Sequence, residues 1–321
     1  MAAPDKRALD LASSIVYQHM LASPQIQWPL LSERCGCEVW VKHENHNPTG
    51  SFKVRGGLVY MNNLRAREPD STGIVTATRG NHGQSVAYAA SRQGLSSTVV
   101  VPEGNNPEKN LAIQALGAEL IVHGKDFDEA VPHTLKLAEQ RGLHRMPSFH
   151  EDLVAGVGTY AMEFLNAQPD LKRVYVPIGL GSGICGMICA RNALGLNTEI
   201  VGVVSVNADC YAQSFAAGHV VETETANTLA DGMAVRVPSE EALSLITANV
   251  ARIVSVKDRD ILEAIQIYFS DTHNIAEGAG AAPLAALLIE KELNRGEKVG
   301  VVLSGGNINR ALYVRALSDC G

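Results

Sequence analysis

A lysine serves carbonyl chemistry only when it is held in place and partly dehydrated, and Lys53 has surroundings that promise both. It stands in Asn47-Pro48-Thr49-Gly50-Ser51-Phe52-Lys53-Val54-Arg55-Gly56-Gly57, among residues that favour turns and small side chains, just after the apolar, strand-like Glu38-Val39-Trp40-Val41. An ammonium held near apolar surface gives up its proton more easily and becomes a nucleophile toward a carbonyl. Such a lysine can form a Schiff base with an aldehyde cofactor. One lysine among 27 basic residues is by default a solvated charge, so the assignment rests on what else the chain supplies.

Two further segments supply it. Val174-Tyr175-Val176-Pro177-Ile178, then Gly179-Leu180-Gly181-Ser182-Gly183, then Ile184-Cys185-Gly186-Met187 reads as strand, glycine loop and helix start. Amides in such a loop approach a phosphate closely, and the helix N-terminus adds positive potential. The same pattern also occurs as an ordinary turn in α/β proteins. Val299-Gly300-Val301-Val302-Leu303 is a buried-type strand ending in Ser304-Gly305-Gly306-Asn307, which delivers a hydroxyl to the strand end where ligands sit in open α/β sheets. A third loop, Thr76-Ala77-Thr78-Arg79-Gly80-Asn81-His82-Gly83-Gln84, follows the apolar Gly73-Ile74-Val75 and leads into a helical Ser85-Val86-Ala87-Tyr88. A strand-to-helix loop of this kind presents amides and short polar groups to a carboxylate.

In this order and at these separations the motifs resemble the pyridoxal-phosphate (PLP) enzymes of the tryptophan-synthase-β fold type, fold type II, over nearly the whole chain. Ser51-Phe52-Lys53-Val54-Arg55-Gly56-Gly57, the Asn81 loop and Ser304-Gly305-Gly306-Asn307 look like the serine/threonine dehydratase branch. That branch includes serine racemase and the phenylserine and hydroxyectoine-utilisation dehydratase-like members. The resemblance implies an α/β, two-lobed fold with mostly parallel sheets flanked by helices, and PLP as cofactor. It implies that Lys53 carries the cofactor as a Schiff base, Phe52 lies near its ring and Asn81 bonds its phenolic oxygen. Gly179, Leu180, Gly181, Ser182 and Gly183 would hold the phosphate, and Ser304 would face the pyridine nitrogen. The substrate carboxylate would be gripped from Ser51, Thr78, Gly80, Asn81 and His82.

The residue types select among chemistries. A serine at the ring nitrogen does not favour a protonated pyridinium as a carboxylate would, so the ring is a weaker electron sink. Prompt loss of a group from Cβ is then favoured over transamination. The expected activity is a threonine/serine dehydratase-like ammonia-lyase: elimination of water from an L-3-hydroxy amino acid, with Lys53 as base at Cα, giving a 2-oxo acid and ammonia. In serine racemase the position two before the loop asparagine is a serine acting on the opposite face of Cα. Here it is Arg79, which stays protonated and cannot shuttle a proton. Racemisation is disfavoured. Arg79 either binds a carboxylate or aromatic face of the substrate or points outward to a surface acid. It keeps open a dehydratase of phenylserine or another bulky hydroxy acid. β-Replacement is disfavoured by the lysine context, and a non-catalytic cofactor-binding protein by the intact Lys53, Asn81 and Ser304.

Several dehydratase-branch enzymes hold a divalent metal near the phosphate loop through a glutamate after the next strand. Here Val204 takes that place, and Asp209 with the Ala208 carbonyl makes an incomplete oxygen set; no tightly bound metal is expected. Glu277, before the small-residue run Gly278-Ala279-Gly280-Ala281-Ala282, reads equally as a helix-dipole acid and as a group facing the ring. Asp231-Gly232-Met233-Ala234-Val235 is the segment expected to line the pocket beyond Cβ. His150 and Asp152 read as structural.

The elements that must position these residues alternate: strand-like Thr98–Val101, helical Glu108–Leu116, strand-like Ala118–Val122, helical Phe127–Gln140. Alternation argues a parallel sheet with crossover helices. The expected division is a large PLP-binding domain over 1–64 and 148–321 and a small domain over 65–147. A chain of 321 residues, 46% hydrophobic, can bury a sizeable core. Net charge of −7 without a basic cluster gives no footprint for nucleic acid, and no apolar run reaches the roughly 20 residues that cross a bilayer. No signal pattern opens the chain, and a cytoplasmic enzyme without an appended regulatory domain is expected. The partner is a small-molecule amino acid, and the family habit is a homodimer. Cys35, Cys37, Cys185, Cys189, Cys210 and Cys320 lack metal or disulfide spacing and read as free thiols.

Overall fold

The computed structural model describes residues 3–125 and 127–318. Its strands are β1 (Gln25–Gln27), β2 (Glu38–His43), β3 (Gly73–Ala77), β4 (Ser96–Val101), β5 (Glu119–Val122), β6 (His144–Arg145), β7 (Arg173–Pro177), β8 (Glu199–Ser205), β9 (Arg252–Val256) and β10 (Lys298–Leu303). They form two sheets. One is six-stranded in the order β1-β2-β10-β7-β8-β9, the other four-stranded in the order β5-β4-β3-β6. All pairings are parallel except β1 with β2 at the edge. Continuous apolar runs such as Val299–Leu303 and Ile200–Val204 are what strands covered on both faces require. Helices supply the cover, and the fold is the α/β arrangement of mostly parallel sheets read from the sequence.

The elements agree with their expected bounds to within a residue or two at each end. The Glu108–Leu116 helix is Pro107–Ala115, opened by Asn106, whose side chain accepts from the Glu108 and Lys109 amides with Pro107 in the first turn. Phe127–Gln140 extends to Arg141.

Helix Lys53–Arg67 is fixed by close backbone approach. A Cβ on Gly156 would lie 2.4 Å from the Arg55 carbonyl oxygen and 2.7 Å from the Gly56 Cα, so helices Lys53–Arg67 and Glu151–Ala167 touch main chain to main chain. Gly186 meets Gly158 in the same way, seating helix Ser182–Ala193 on the other side. Only glycine permits these crossings, and they hold the lysine-bearing and loop-bearing helices against one another.

Parallel strands end on one side, and there the motif loops gather. β10 runs into Ser304, β7 into the glycine loop and β3 into the Thr78–His82 loop. Ser51 bridges Gly305 in antiparallel fashion, and the Phe52 amide donates to the Ser304 carbonyl at 3.0 Å. This joins the two most distant motifs. Cys35, Cys37, Cys185, Cys189 and Cys210 are buried free thiols, with burial raising Cys35 to about 12 and Cys37 to about 11; Cys320 lies outside the described residues.

Candidate active site

Lys53 is the first residue of its helix. Its Nζ lies 4.9 Å from the centroid of the Phe52 ring and has no hydrogen bond or ion pair among the described residues. Burial lowers its pKa to about 8; Glu277 pulls it back up and Lys109 pushes it further down. About a tenth of this amine is therefore unprotonated at pH 7, and more as the pH rises, as a nucleophile or base requires.

Two adjoining cavities open on it. One, of about 370 Å³, is lined by Phe52, Lys53, Asn81, the loop Gly179–Gly183, Glu277 and Ser304. The other, of about 570 Å³, is lined by Lys53, Thr78 to His82, Lys109, Leu180 and the segment Asp231 to Val235. The Lys53 motif, the glycine loop, the Asn81 loop and Ser304 thus surround one space.

The glycine loop precedes helix Ser182–Ala193 with Gly181 at its N-cap, at φ +105°. A Cβ on Gly181 would meet Ala242 Cβ at 2.6 Å, and one on Gly179 would meet the Gly232 carbonyl oxygen at 2.4 Å. The loop keeps bare backbone toward the cavity, as close approach of an anion to amides demands. Gly181→Ala is expected to weaken uptake of a phosphate-bearing cofactor more than about tenfold, because strained φ and a clash both displace the amides; absorbance titration of the cofactor-free protein measures it.

The Asn81 loop is tied from within. Thr78 Oγ1 accepts from the Gly80 and Gly83 amides at 2.9 and 3.1 Å, so this hydroxyl braces the loop. Gly80, at φ +149°, lies against Lys109, whose Cδ a Cβ would meet at 2.2 Å. Asn81 donates from Nδ2 to Glu277 Oε1 at 2.6 Å and accepts at Oδ1 from Asn307 at 2.9 Å. Its amide is held between Glu277, at the start of helix Gly278–Ile289, and Asn307, which follows β10. His82 is kept neutral, with burial and the Lys53 charge lowering it to about 3, and its Nε2 has no partner. Ser51 is fully buried and its Oγ also lacks a partner. His82 lines the larger cavity, and an unpaired buried polar atom there is what a bound ligand completes.

Lys109, whose sequence neighbours mark only an ordinary helix, belongs to this cluster. It is 4% exposed and donates to Asp231 Oδ2 at 2.7 Å and to Glu277 Oε2 at 3.0 Å. Burial opposes its charge, but the two carboxylates outweigh burial and raise its pKa. Glu277 stands at the N-terminus of helix Gly278–Ile289 without making a capping bond; its carboxylate reaches Asn81 and Lys109 instead. Arg79 lines the larger cavity and carries no partner among the described residues. Val204 is buried within β8, and no group of three or more His, Cys, Asp or Glu able to hold a metal ion occurs among the described residues. His150 caps helix Glu151–Ala167, and Asp152 pairs with Arg67.

A family model described as pyridoxal-phosphate dependent enzyme matches residues 16–305. The chain belongs to that family. Among its members it is 38% identical to the L-threonine ammonia-lyase of Geobacter sulfurreducens over 279 residues, covering 87% of this chain and 69% of that protein. The processed form of threonine deaminase isoform 2 from Solanum lycopersicum superposes with a TM-score of 0.89 at 30% identity, covering 99% of this chain and 95% of that one. A pyridoxal 5'-phosphate-dependent aspartate racemase superposes with a TM-score of 0.91 at 27% identity, covering 96% and 97%. The residues present fit the family cofactor. A free lysine amine answers its aldehyde, bare amides at a helix N-terminus answer its phosphate, and the unpaired Ser51 and His82 atoms remain for what binds beside it.

Proposed function

We propose that this chain is an ammonia-lyase that eliminates water from an L-3-hydroxy amino acid of the threonine and serine class, releasing a 2-oxo acid and ammonia. The observation that carries the reading is the single space in which an unpaired, partly deprotonated Lys53 meets a bare glycine loop and the Ser304 hydroxyl. The similarity to a protein named L-threonine ammonia-lyase supports it.

PLP, when bound, supplies the electron sink that makes the Cα–H bond acidic. In this reading Lys53 would hold the cofactor and would be the base positioned at the Cα proton, its buried amine having a pKa lowered to about 8 in the cofactor-free protein. Phe52 lies beneath that amine as an apolar floor. The amides of Gly179, Leu180, Gly181, Ser182 and Gly183 hold the phosphate. Ser304, on the wall of the same cavity, would offer a hydroxyl to the ring nitrogen without forcing a proton onto it, which would favour prompt loss of the Cβ substituent. Asn81, fixed by Glu277 and Asn307, would hold the ring's phenolic oxygen. The substrate carboxylate binds the amides at the start of helix Asn81–Arg92, with Ser51 and neutral His82 beside them. Thr78 and Gly80 shape that loop. The Lys109 link to Asp231 and Glu277 closes the wall opposite.

Residues 1–64 and 148–321 are proposed as the large lobe and 65–147 as the small one. Support comes from the sheets, since the four-stranded sheet draws all its strands from 73–145. A homodimer in the cytoplasm is proposed by likeness to the family; no helix among the described residues is long and apolar enough to cross a membrane.

The test is release of 2-oxo acid and ammonia from L-threonine, L-serine and L-threo-phenylserine by the cofactor-loaded protein. Equimolar release from threonine or serine is expected. Interconversion of serine enantiomers without ammonia would replace the reading by racemisation.

A further inference from the structure

Apart from Lys53, which the proposed function assigns to the cofactor, Arg79 is the cation on the larger cavity's wall without an acidic partner among the described residues. Its side chain is partly buried on the wall of the cavity above Lys53, and the same residue lines two further cavities that adjoin it. It makes no hydrogen bond or ion pair among the described residues. Of the other charges on that cavity wall, Lys109 is answered by Asp231 at 2.7 Å and by Glu277 at 3.0 Å, and Lys53 is the residue that the proposed function assigns to the cofactor. His82 is neutral. The remaining wall combines the apolar Ala77, Phe127, Leu180, Ala234 and Val235 with the uncharged polar Thr78, Asn81 and Ser148, none of which carries a negative charge. A guanidinium partly withdrawn from water and left without an acceptor is costly, and its planar fork matches a carboxylate. In the proposed function the α-carboxylate of the substrate goes to the amides at the start of helix Asn81–Arg92, with the unpaired Ser51 hydroxyl beside them. Arg79 is therefore left for a second anion.

We infer that Arg79 binds an acidic group on the substrate's Cβ, so that the preferred substrate is a 3-hydroxy dicarboxylic amino acid such as 3-hydroxyaspartate. The inference rests on the ammonia-lyase reading and sharpens it. The chemistry balances without a further reactant. A proton leaves Cα and the hydroxyl leaves Cβ, the hydroxyl departing with one proton as water, and a Cα=Cβ bond forms. The enamine tautomerises, and water displaces its nitrogen to give a 2-oxo dicarboxylate and ammonia.

The experiment compares the cofactor-loaded wild type with Arg79→Ser and Arg79→Lys. One readout is kcat/KM for the threo and erythro forms of 3-hydroxyaspartate relative to L-threonine. The other is calorimetric affinity for L-aspartate relative to L-alanine, neither of which carries a β-hydroxyl. Wild type is expected to prefer the dicarboxylate in both. Arg79→Ser is expected to reduce each preference by at least about 30-fold, the value of a lost charge-assisted bond, and Arg79→Lys by less, since it keeps the charge but not the fork. Parallel loss for monocarboxylic and dicarboxylic ligands, with the ratio unchanged, would place Arg79 at the α-carboxylate and overturn the inference. So would a wild type with no preference for the second carboxylate. If no substrate releases ammonia, the lyase reading has failed, while the aspartate-to-alanine affinity ratio still reports whether Arg79 receives an acid.

Discussion

Lys53→Ala is expected to lose at least about 10³-fold in turnover, the scale of removing a positioned base, and to bind the cofactor without the visible absorption of its lysine adduct. The variant should nevertheless fold. Lys53 carries a desolvated amine whose pKa falls from 10.5 to about 8 because burial disfavours the charge. Below pH 8 the amine is protonated in both folded and unfolded chains, and the folded state bears the full penalty, at most a few kcal/mol. Between pH 8 and 10.5 the unfolded chain holds the proton that the folded one has released, so the penalty fades as pH rises. The cofactor-free alanine variant is thus expected to melt no lower than wild type at pH 7, with the difference narrowing in alkali. Recovery of part of the turnover by added primary amines would identify the lost group as a base. A variant that melts well below wild type would show instead that Lys53 supports the fold.

How much of this site could be read in the chain depends on whether each residue's partners are local. Lys53, the Gly179–Gly183 loop and the Ser304 turn each sit at the junction of a strand and its following segment, where sequence alone predicts both the element and the side chain's exit. Alternation of apolar runs likewise gave the parallel sheets. Lys109 could not be found that way. Its neighbours in the sequence describe an ordinary capped helix, while its partners Asp231 and Glu277 stand 122 and 168 residues away. Glu277 supported two readings because both a dipole-complementing acid and an inward carboxylate favour the start of a helix. The missing capping bond and the reach to Asn81 separate them. Thr78 shows the converse: its place in the motif suggested an outward contact, yet local geometry turns its oxygen onto the Gly80 and Gly83 amides. Arg79 was visible as a departure from pattern, but the absence of any partner could emerge only in three dimensions.

Arg55→Met is expected to be the most destabilising single change near the site, although methionine fills much of the same volume. Arg55 lies two residues beyond Lys53, fully buried. Its Nε and Nη2 bond Glu44 at 2.7 and 3.0 Å, and its Nη1 bonds Glu163 at 2.6 Å and Thr159 at 3.0 Å. Lys42, also buried, pairs with Glu163. Two cations and two carboxylates balance, and removing Arg55 leaves one negative charge in the interior without a partner. Breaking such a cluster from one side costs about 3–5 kcal/mol, whereas replacing it whole is far cheaper. At roughly 2 °C per kcal/mol for a protein of this size, the melting temperature should fall by roughly 6–10 °C. The sign with pH follows from Glu163. Burial raises its pKa, but Arg55 and then Lys42 outweigh burial and hold it below the ordinary carboxylate value. Its contribution to wild-type stability is present above the unfolded pKa and lost as pH falls through the folded one, so the deficit of Arg55→Met should be greatest near neutrality and shrink in acid. The double variant Arg55→Met/Glu44→Gln restores the charge balance and should melt above the single one. If it melts at or below the sum of the separate effects, the cluster acts through packing of helix Lys53–Arg67 and not through its charges.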